Sequence, residues 1–418
     1  MTTLNVSKEN VMKKIALLFL TALFVKANFA QYKNDNLLYK TVYTTDLCKE
    51  LNNSPGYLLL DVRTPGEYAD TSSMGMNIGR FLDAINIEIA NLGSRLSEIN
   101  AYKNKPVFVY CSHSQRSRRA SKMLADSGFT RVVNINGGMT GLRQLPVKNN
   151  ECLYDKLVTK NSYGFLSAAD LCNKLKKGTE DLFLLDVRND SAFQLISTDQ
   201  KINSFGFFKN SVHMPLGRLE ASLNKIPEDK EIVIIDLFGG DAIKAAELLI
   251  RKKYQRVLIL PEGIEGILNR DNDGLACLSP FYISNLPYKI INAQGLKKFI
   301  ETNHDYLFLD ARTKEEFTNT HKNYWQNTGH LVNAVNIPVA DMENQWTTIE
   351  SYKNKPVIIY LFTSGTGSHE AARSLVQKGF TNIYVLHGGI FNIGWTAANV
   401  KGYSSLANLK VDVPVANM

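Results

Sequence analysis

Short apolar runs alternate with longer amphipathic stretches along this chain. Residues 57–60 (Tyr-Leu-Leu-Leu), 107–110 (Val-Phe-Val-Tyr) and 132–135 (Val-Val-Asn-Ile) are brief, mostly apolar segments bounded by polar residues, the pattern of buried strands. Residues 117–127 repeat apolar positions at helical spacing and stop at Gly128, a suitable C-cap. Strands alternating with helices predict an α/β fold whose mostly parallel sheet is covered on both faces. In such sheets ligands bind beyond the carboxyl ends of the strands.

The same pattern recurs. Leu60-Asp61-Val62-Arg63 returns as Leu185-Asp186-Val187-Arg188 and as Leu309-Asp310-Ala311-Arg312, a period of about 125 residues. Asp46-Leu47-Cys48 returns as Asp170-Leu171-Cys172, and Gly137-Gly138 as Gly388-Gly389, with Glu262-Gly263 a weaker copy. The chain therefore reads as three copies of one unit, each long enough to bury its own core. The expected divisions are 31–150, 151–279 and 280–418.

One stretch carries candidate chemistry. The run 107–110 predicts a strand, Cys111 sits at its end, and a helix is expected to restart at about Ser117. A tight loop at a helix N-terminus turns amide N–H groups inward and adds positive potential, which suits an anion. Arg116, Arg118 and Arg119 lie close by. A cysteine there is a candidate nucleophile; the alternative is a small apolar residue closing a buried strand.

Cys111, four residues, then Arg116-Ser117 resembles the active-site loop of the rhodanese family. Asp61-Val62-Arg63 and Gly137-Gly138-Met139 resemble that family's early and late motifs, in the family's order. The resemblance implies three tandem rhodanese-like units and a Cys111 that carries sulfane sulfur as a persulfide. It implies that the amides of residues 112–116 cradle the persulfide and that Arg116 orients a small anionic sulfur donor such as thiosulfate. Ser112, Ser114, Gln115 and Ser117 are further expected contacts, with Ser117 capping the helix. His113 either exchanges protons near the site or faces solvent. A thiol or a cyanide-like nucleophile is the expected acceptor, and neither metal nor cofactor is expected. Asp61 and Arg63 are expected to be structural. The related phosphatases and arsenate reductases use a loop one residue longer, so the spacing here favours sulfur transfer. The loop lacks the glycine common in the family, which leaves the donor open.

The other copies depart at this point. Fifty residues after Asp186 stands Asp236, with Asp241 in the place of Arg116; in the third copy Leu361 replaces the cysteine, in a loop one residue longer. Neither residue can accept and release sulfur. Chemistry is therefore expected in the first copy alone, and the competing reading is a non-enzymatic scaffold or sulfur carrier.

Composition adds the setting. Residues 1–30 have the layout of a secretory signal peptide: Lys13-Lys14, an apolar core from Ile15 to Val25, and Ala30 as the expected cleavage point. A periplasmic or secreted protein without stable membrane insertion is expected. The formal charge of +8 falls to about +5 once Lys8, Lys13, Lys14, Lys26 and Glu9 are removed. Its basic residues are interleaved with acids, unlike a nucleic-acid surface. Of five cysteines, Cys48 and Cys172 are expected in the core, a Cys152–Cys277 bridge is conceivable, and Cys111 is the natural free thiol.

Overall fold

The computed structural model describes residues 38–72, 77–270 and 272–414. The expected signal segment lies outside them. No helix among the described residues is long and apolar enough to cross a membrane.

Three five-stranded parallel sheets follow one another, all with the same strand order. In the first, the order is Lys40–Tyr43, Val132–Asn136, Val107–Tyr110, Leu58–Asp61, Ile85–Asn86. The strand leading to Cys111 is thus the central one. Both of its neighbours are parallel, with Val107 opposite Leu58 on one side and Val132 on the other. Its side chains alternate between two cores. Val107, Val109 and Cys111 join Leu60 and Leu124 on one face, while Phe108 and Tyr110 join Leu47 and Met139 on the other. Two such cores, one for each face, recur in the second and third units. This covering explains why four consecutive strand residues are apolar.

Each unit also closes with a short antiparallel pair. Arg80–Phe81 pairs with Leu157–Val158, Phe207–Phe208 with Tyr282–Ile283, and His330–Leu331 with Lys410–Val411. The first two closing strands lie just past the divisions expected at 150 and 279. The strand Lys40–Tyr43 gives no signal in the apolar pattern, because it is a sheet edge with a single buried residue, Val42.

The cysteines pair differently from a Cys152–Cys277 bridge. Cys48 is bonded to Cys152 and Cys172 to Cys277, each within its own unit, and Cys111 is the free cysteine. In both units the helix after the first strand packs against the second helix after the glycine turn. The paired Cα atoms lie 6.2 and 6.0 Å apart, within bridging reach. In the third unit Lys297 follows Leu296 where cysteine follows Leu47 and Leu171, and its ammonium packs over the Tyr403 ring.

Candidate active site

The loop after Tyr110 is only four residues long, and the helix Gln115–Asp126 starts two residues earlier than expected. Ser114 permits this by taking a left-handed conformation, φ 116°. Its N–H then points back at the cysteine, 3.2 Å from Cys111 Sγ. Ser117 consequently lies inside the first turn and does not cap it. Its hydroxyl donates to the Ser114 carbonyl at 3.0 Å, and the Cys111 thiol donates to Ser117 Oγ at 3.7 Å.

The glycine turn holds this loop from behind. Met139 N–H donates to the Cys111 carbonyl at 2.9 Å and Thr140 N–H to that of Ser112 at 3.0 Å, while Gly137 N–H donates to Ser114 Oγ at 2.6 Å. With those carbonyls drawn away, the Ser114 amide is left to face the sulfur. Gly138 has φ +55°, and a Cβ there would sit 2.3 Å from the Cys111 carbonyl oxygen, so only glycine fits.

Arg116 is fixed by a residue that the sequence did not single out for the site. Its two terminal nitrogens each donate to a Glu67 carboxylate oxygen at 2.7 Å, a bidentate pair, and one also donates to Ser112 Oγ. Ser112 Oγ donates to Glu67 at 3.1 Å. Burial works against the charge on Glu67, but Arg116 and the Thr64 donors outweigh it and bring its carboxyl down to about 2. Glu67 in turn holds Arg116 above its ordinary value. The Arg116 Nε hydrogen and the second Nη1 hydrogen have no protein partner among the described residues and can receive an anion. The signal for Glu67 is local, a capping box formed with Thr64 after the Asp-Val-Arg strand.

Two other expectations change. Of the arginine cluster, only Arg116 serves the loop. Arg119 is exposed, and Arg118 is buried and reaches the third unit, donating to the Ala398 carbonyl at 3.1 Å and to Asn399 at 3.2 Å. His113 is half-buried and does not simply face solvent: its Nε2 lies 2.8 Å from Glu262 of the second unit. Gln115 is exposed at the loop's edge. Asp61 and Arg63 are fully buried and pair with each other, one strand away.

The second unit shows what such a loop holds. Asp236, where the cysteine would stand, is buried, and its carboxylate accepts from the N–H groups of Gly239, Asp241 and Ala242 at 2.9, 3.0 and 3.1 Å. The unit's own side chain fills its anion cradle. Burial raises the Asp236 carboxyl and the three amides only partly offset this, leaving it at about 6. Between about pH 4 and 6 the folded chain therefore retains a proton that the unfolded chain has lost, and this group's contribution to stability falls as pH rises through that window. Asp236→Asn should remove that fall. Measured against wild type, its urea midpoint should improve from pH 4 to pH 6.5 (roughly the window given by linkage). A difference that does not move with pH would contradict this. In the third unit the loop between Tyr360 and Thr366 is one residue longer, and Leu361 takes the cysteine's place.

The family model described as "Rhodanese-like domain" matches three times, over residues 44–145, 167–270 and 292–396. Among curated relatives, the uncharacterized protein YqhL of Bacillus subtilis is 31% identical over 127 residues, 30% of this chain and 90% of its own length. A sulfurtransferase of Allochromatium vinosum is 33% identical over 93 residues, 22% of this chain and 78% of its own. Thiosulfate sulfurtransferase PspE of Escherichia coli is 32% identical over 78 residues, 19% and 67%. Among solved structures, a thiosulfate sulfurtransferase from Pseudomonas aeruginosa is matched over 84% of this chain and 66% of its own, at 16% identity and TM-score 0.23. With three matching segments that together cover most of its length, each folded as a parallel sheet with the same strand order, the chain belongs to the rhodanese-like sulfurtransferase family as three tandem rhodanese-like domains.

Proposed function

We propose that the protein is an exported sulfurtransferase that works through Cys111 of its first domain. The Cys111 thiolate attacks the outer sulfur of a sulfane donor such as thiosulfate. The donor's S–S bond breaks with its electron pair leaving on sulfite, and Cys111 is left as a persulfide. A thiolate or cyanide then attacks the outer persulfide sulfur, and the electron pair of that bond returns to Cys111. The amides of the loop stabilise the negative sulfur, and the free N–H groups of Arg116 orient the incoming anion.

The observation that carries this reading is the matching cradle of the second domain. There, the Gly239 amide and two amides of the first helical turn hold the Asp236 carboxyl at 2.9–3.1 Å, at the position equivalent to Cys111, whose Sγ lies 3.2 Å from the Ser114 amide. The amides pull the carboxyl toward its charged form against the burial that opposes it, so a loop of this geometry supplies donors to negative charge at that atom. Export accords with the signal-like segment and with two disulfides in a chain whose remaining cysteine is free.

The replacement of cysteine by Asp236 and Leu361 favours a second reading, in which the domains form a binding scaffold that does not turn over. Intact mass separates the two. After incubation with thiosulfate, one sulfur atom should be added to the chain, removed by cyanide, and absent from Cys111→Ser. If the mass does not change, or if Cys111→Ser gains the same increment, the enzymatic reading is lost.

A further inference from the structure

The glycine turn behind the cysteine loop differs in the second domain. Its first residue takes a left-handed backbone in all three domains: Gly137 at φ +86°, Gly388 at φ +82° and Glu262 at φ +60°. Hydrogen bonds fix the equivalence. Ile264 and Glu265 N–H groups donate to the carbonyls of Asp236 and Leu237 at 3.1 and 3.0 Å, as those of Met139 and Thr140 do to Cys111 and Ser112. Glycine adopts this conformation freely, whereas a residue with a Cβ is strained by it. Such strain persists only where the surroundings hold it, and it concentrates at functional positions.

The Glu262 side chain leaves its own domain. Its two oxygens hold two segments of the first: Oε1 lies 2.8 Å from His113 Nε2, and Oε2 accepts from Gln144 Nε2 at 3.2 Å. His113 belongs to the Cys111 loop. Gln144 ends the helix Gly138–Gln144, whose first turn holds that loop from behind.

We propose that Glu262 is a positioning residue for Cys111, supplied to the first domain by the second. The proposal rests on the sulfurtransferase reading above and deepens it. The route is short. The N–H that lies 3.2 Å from Cys111 Sγ belongs to the peptide bond between His113 and Ser114. Ser114 is itself left-handed, at φ 116°, and needs its neighbours to keep it so. From one side Gly137 N–H donates to Ser114 Oγ at 2.6 Å; from the other Glu262 anchors His113. Glu262 thus fixes the amide that faces the sulfur without touching the sulfur. Glu265 provides the contrast. It reaches His387 of the third domain at 2.9 Å from within the helix Gly263–Arg270, so joining two domains does not by itself require a strained residue. The second domain, which lacks the cysteine, thereby takes part in the reaction.

The test uses the full-length chain and single-turnover uptake of sulfur from thiosulfate. Glu262→Gly installs the residue found in the other two turns and removes the carboxylate. The limiting rate should fall by about tenfold or more, the scale of misplacing a reacting group. The thiosulfate concentration at half-maximal rate should stay within about twofold of wild type, because Arg116 is held by Glu67 and not by this pair. Damage to the fold as a whole would move both. His113→Ala should show the same loss, and the double variant no greater loss than either alone, the sign of two residues acting as one unit. Glu262→Gln, which keeps an acceptor oxygen at the same reach, should recover part of the rate. If Glu262→Gly takes up sulfur at the wild-type rate, or if the two losses add, Glu262 does not act through His113, and the proposal is overturned while the sulfurtransferase reading stands. If wild-type Cys111 takes up no sulfur from thiosulfate, that underlying reading fails and this proposal falls with it.

Discussion

If the chain uses thiosulfate as proposed, replacing Glu67 by Gln should lower kcat/KM for it by about a hundredfold or more, the scale of losing an oriented charge partner at a reacting anion. Glu67 does not reach Cys111; it is a positioning residue. Both of its oxygens accept from Arg116, and one also accepts from Ser112. With an amide NH₂ in place of one carboxylate oxygen, donors would face the guanidinium N–H groups with no acceptor between them. Arg116 must then swing away, and Ser112 loses its acceptor. The other domains illustrate the coupling. In the second, Ala192 stands at the position of Glu67 and Asp241 at that of Arg116, so both partners are gone. In the third, Glu316 keeps the capping box with Thr313 but accepts from Gln326 at 3.1 Å. Kinetics distinguish positioning from folding. KM for thiosulfate should rise while Cys111 still reacts with a neutral alkylating agent, and Glu67→Asp should recover part of the activity. If Glu67→Gln retains activity within about threefold of wild type, below the usual worth of such a bond, Arg116 does not depend on this pair.

The triplicate organisation is legible in the sequence because the inner strands of each sheet are buried on both faces and each Asp-x-Arg repeats at nearly constant spacing. The Cys111 loop is legible because an abrupt change from apolar to small polar residues marks a strand end. Glu67 reads only as part of a turn, since its partner lies 49 residues away and only tertiary folding brings them together. A Cys152–Cys277 bridge is suggested only when similar positions in different units are matched to each other. The nearly equal separations of 104 and 105 residues point instead to pairing within each unit. Arg118 is separable from Arg116 on helical geometry alone: two residues along a helix turn the side chain through about 200°, to the opposite face. His113 and Glu262 belong to different domains, and no local pattern reports how domains meet.

The buried pair Asp61–Arg63 carries the largest expected effect on stability. Both side chains are fully buried, with Arg63 donating to Asp61 at 2.7, 3.0 and 3.1 Å and to the Gly79 carbonyl at 2.8 Å. The arrangement recurs in full: Arg188 binds Asp186 and the Gly206 carbonyl, and Arg312 binds Asp310 and the Gly329 carbonyl. Each of these glycines has positive φ and precedes the strand that closes its unit. The pair therefore ties the end of the strand beside the central one to the closing antiparallel pair. Burial works against the charge of Arg63, and Asp61 more than compensates, holding the guanidinium above its ordinary value. Arg63→Met should destabilise the first domain by about 3–5 kcal/mol, because Asp61 is left charged and unpaired in the interior. Asp61→Leu combined with Arg63→Met should recover part of that loss, since no charge then remains buried. Three domains need not unfold together, so hydrogen exchange resolved over residues 58–61 and 107–110 is the suitable measurement. A loss below about 1 kcal/mol, the level of an exposed pair, would mean that the pair does not hold the domain. Its bearing on function is direct: Asp61 lies in register with Tyr110, the residue before Cys111, so loosening this strand pair loosens the base of the sulfur cradle.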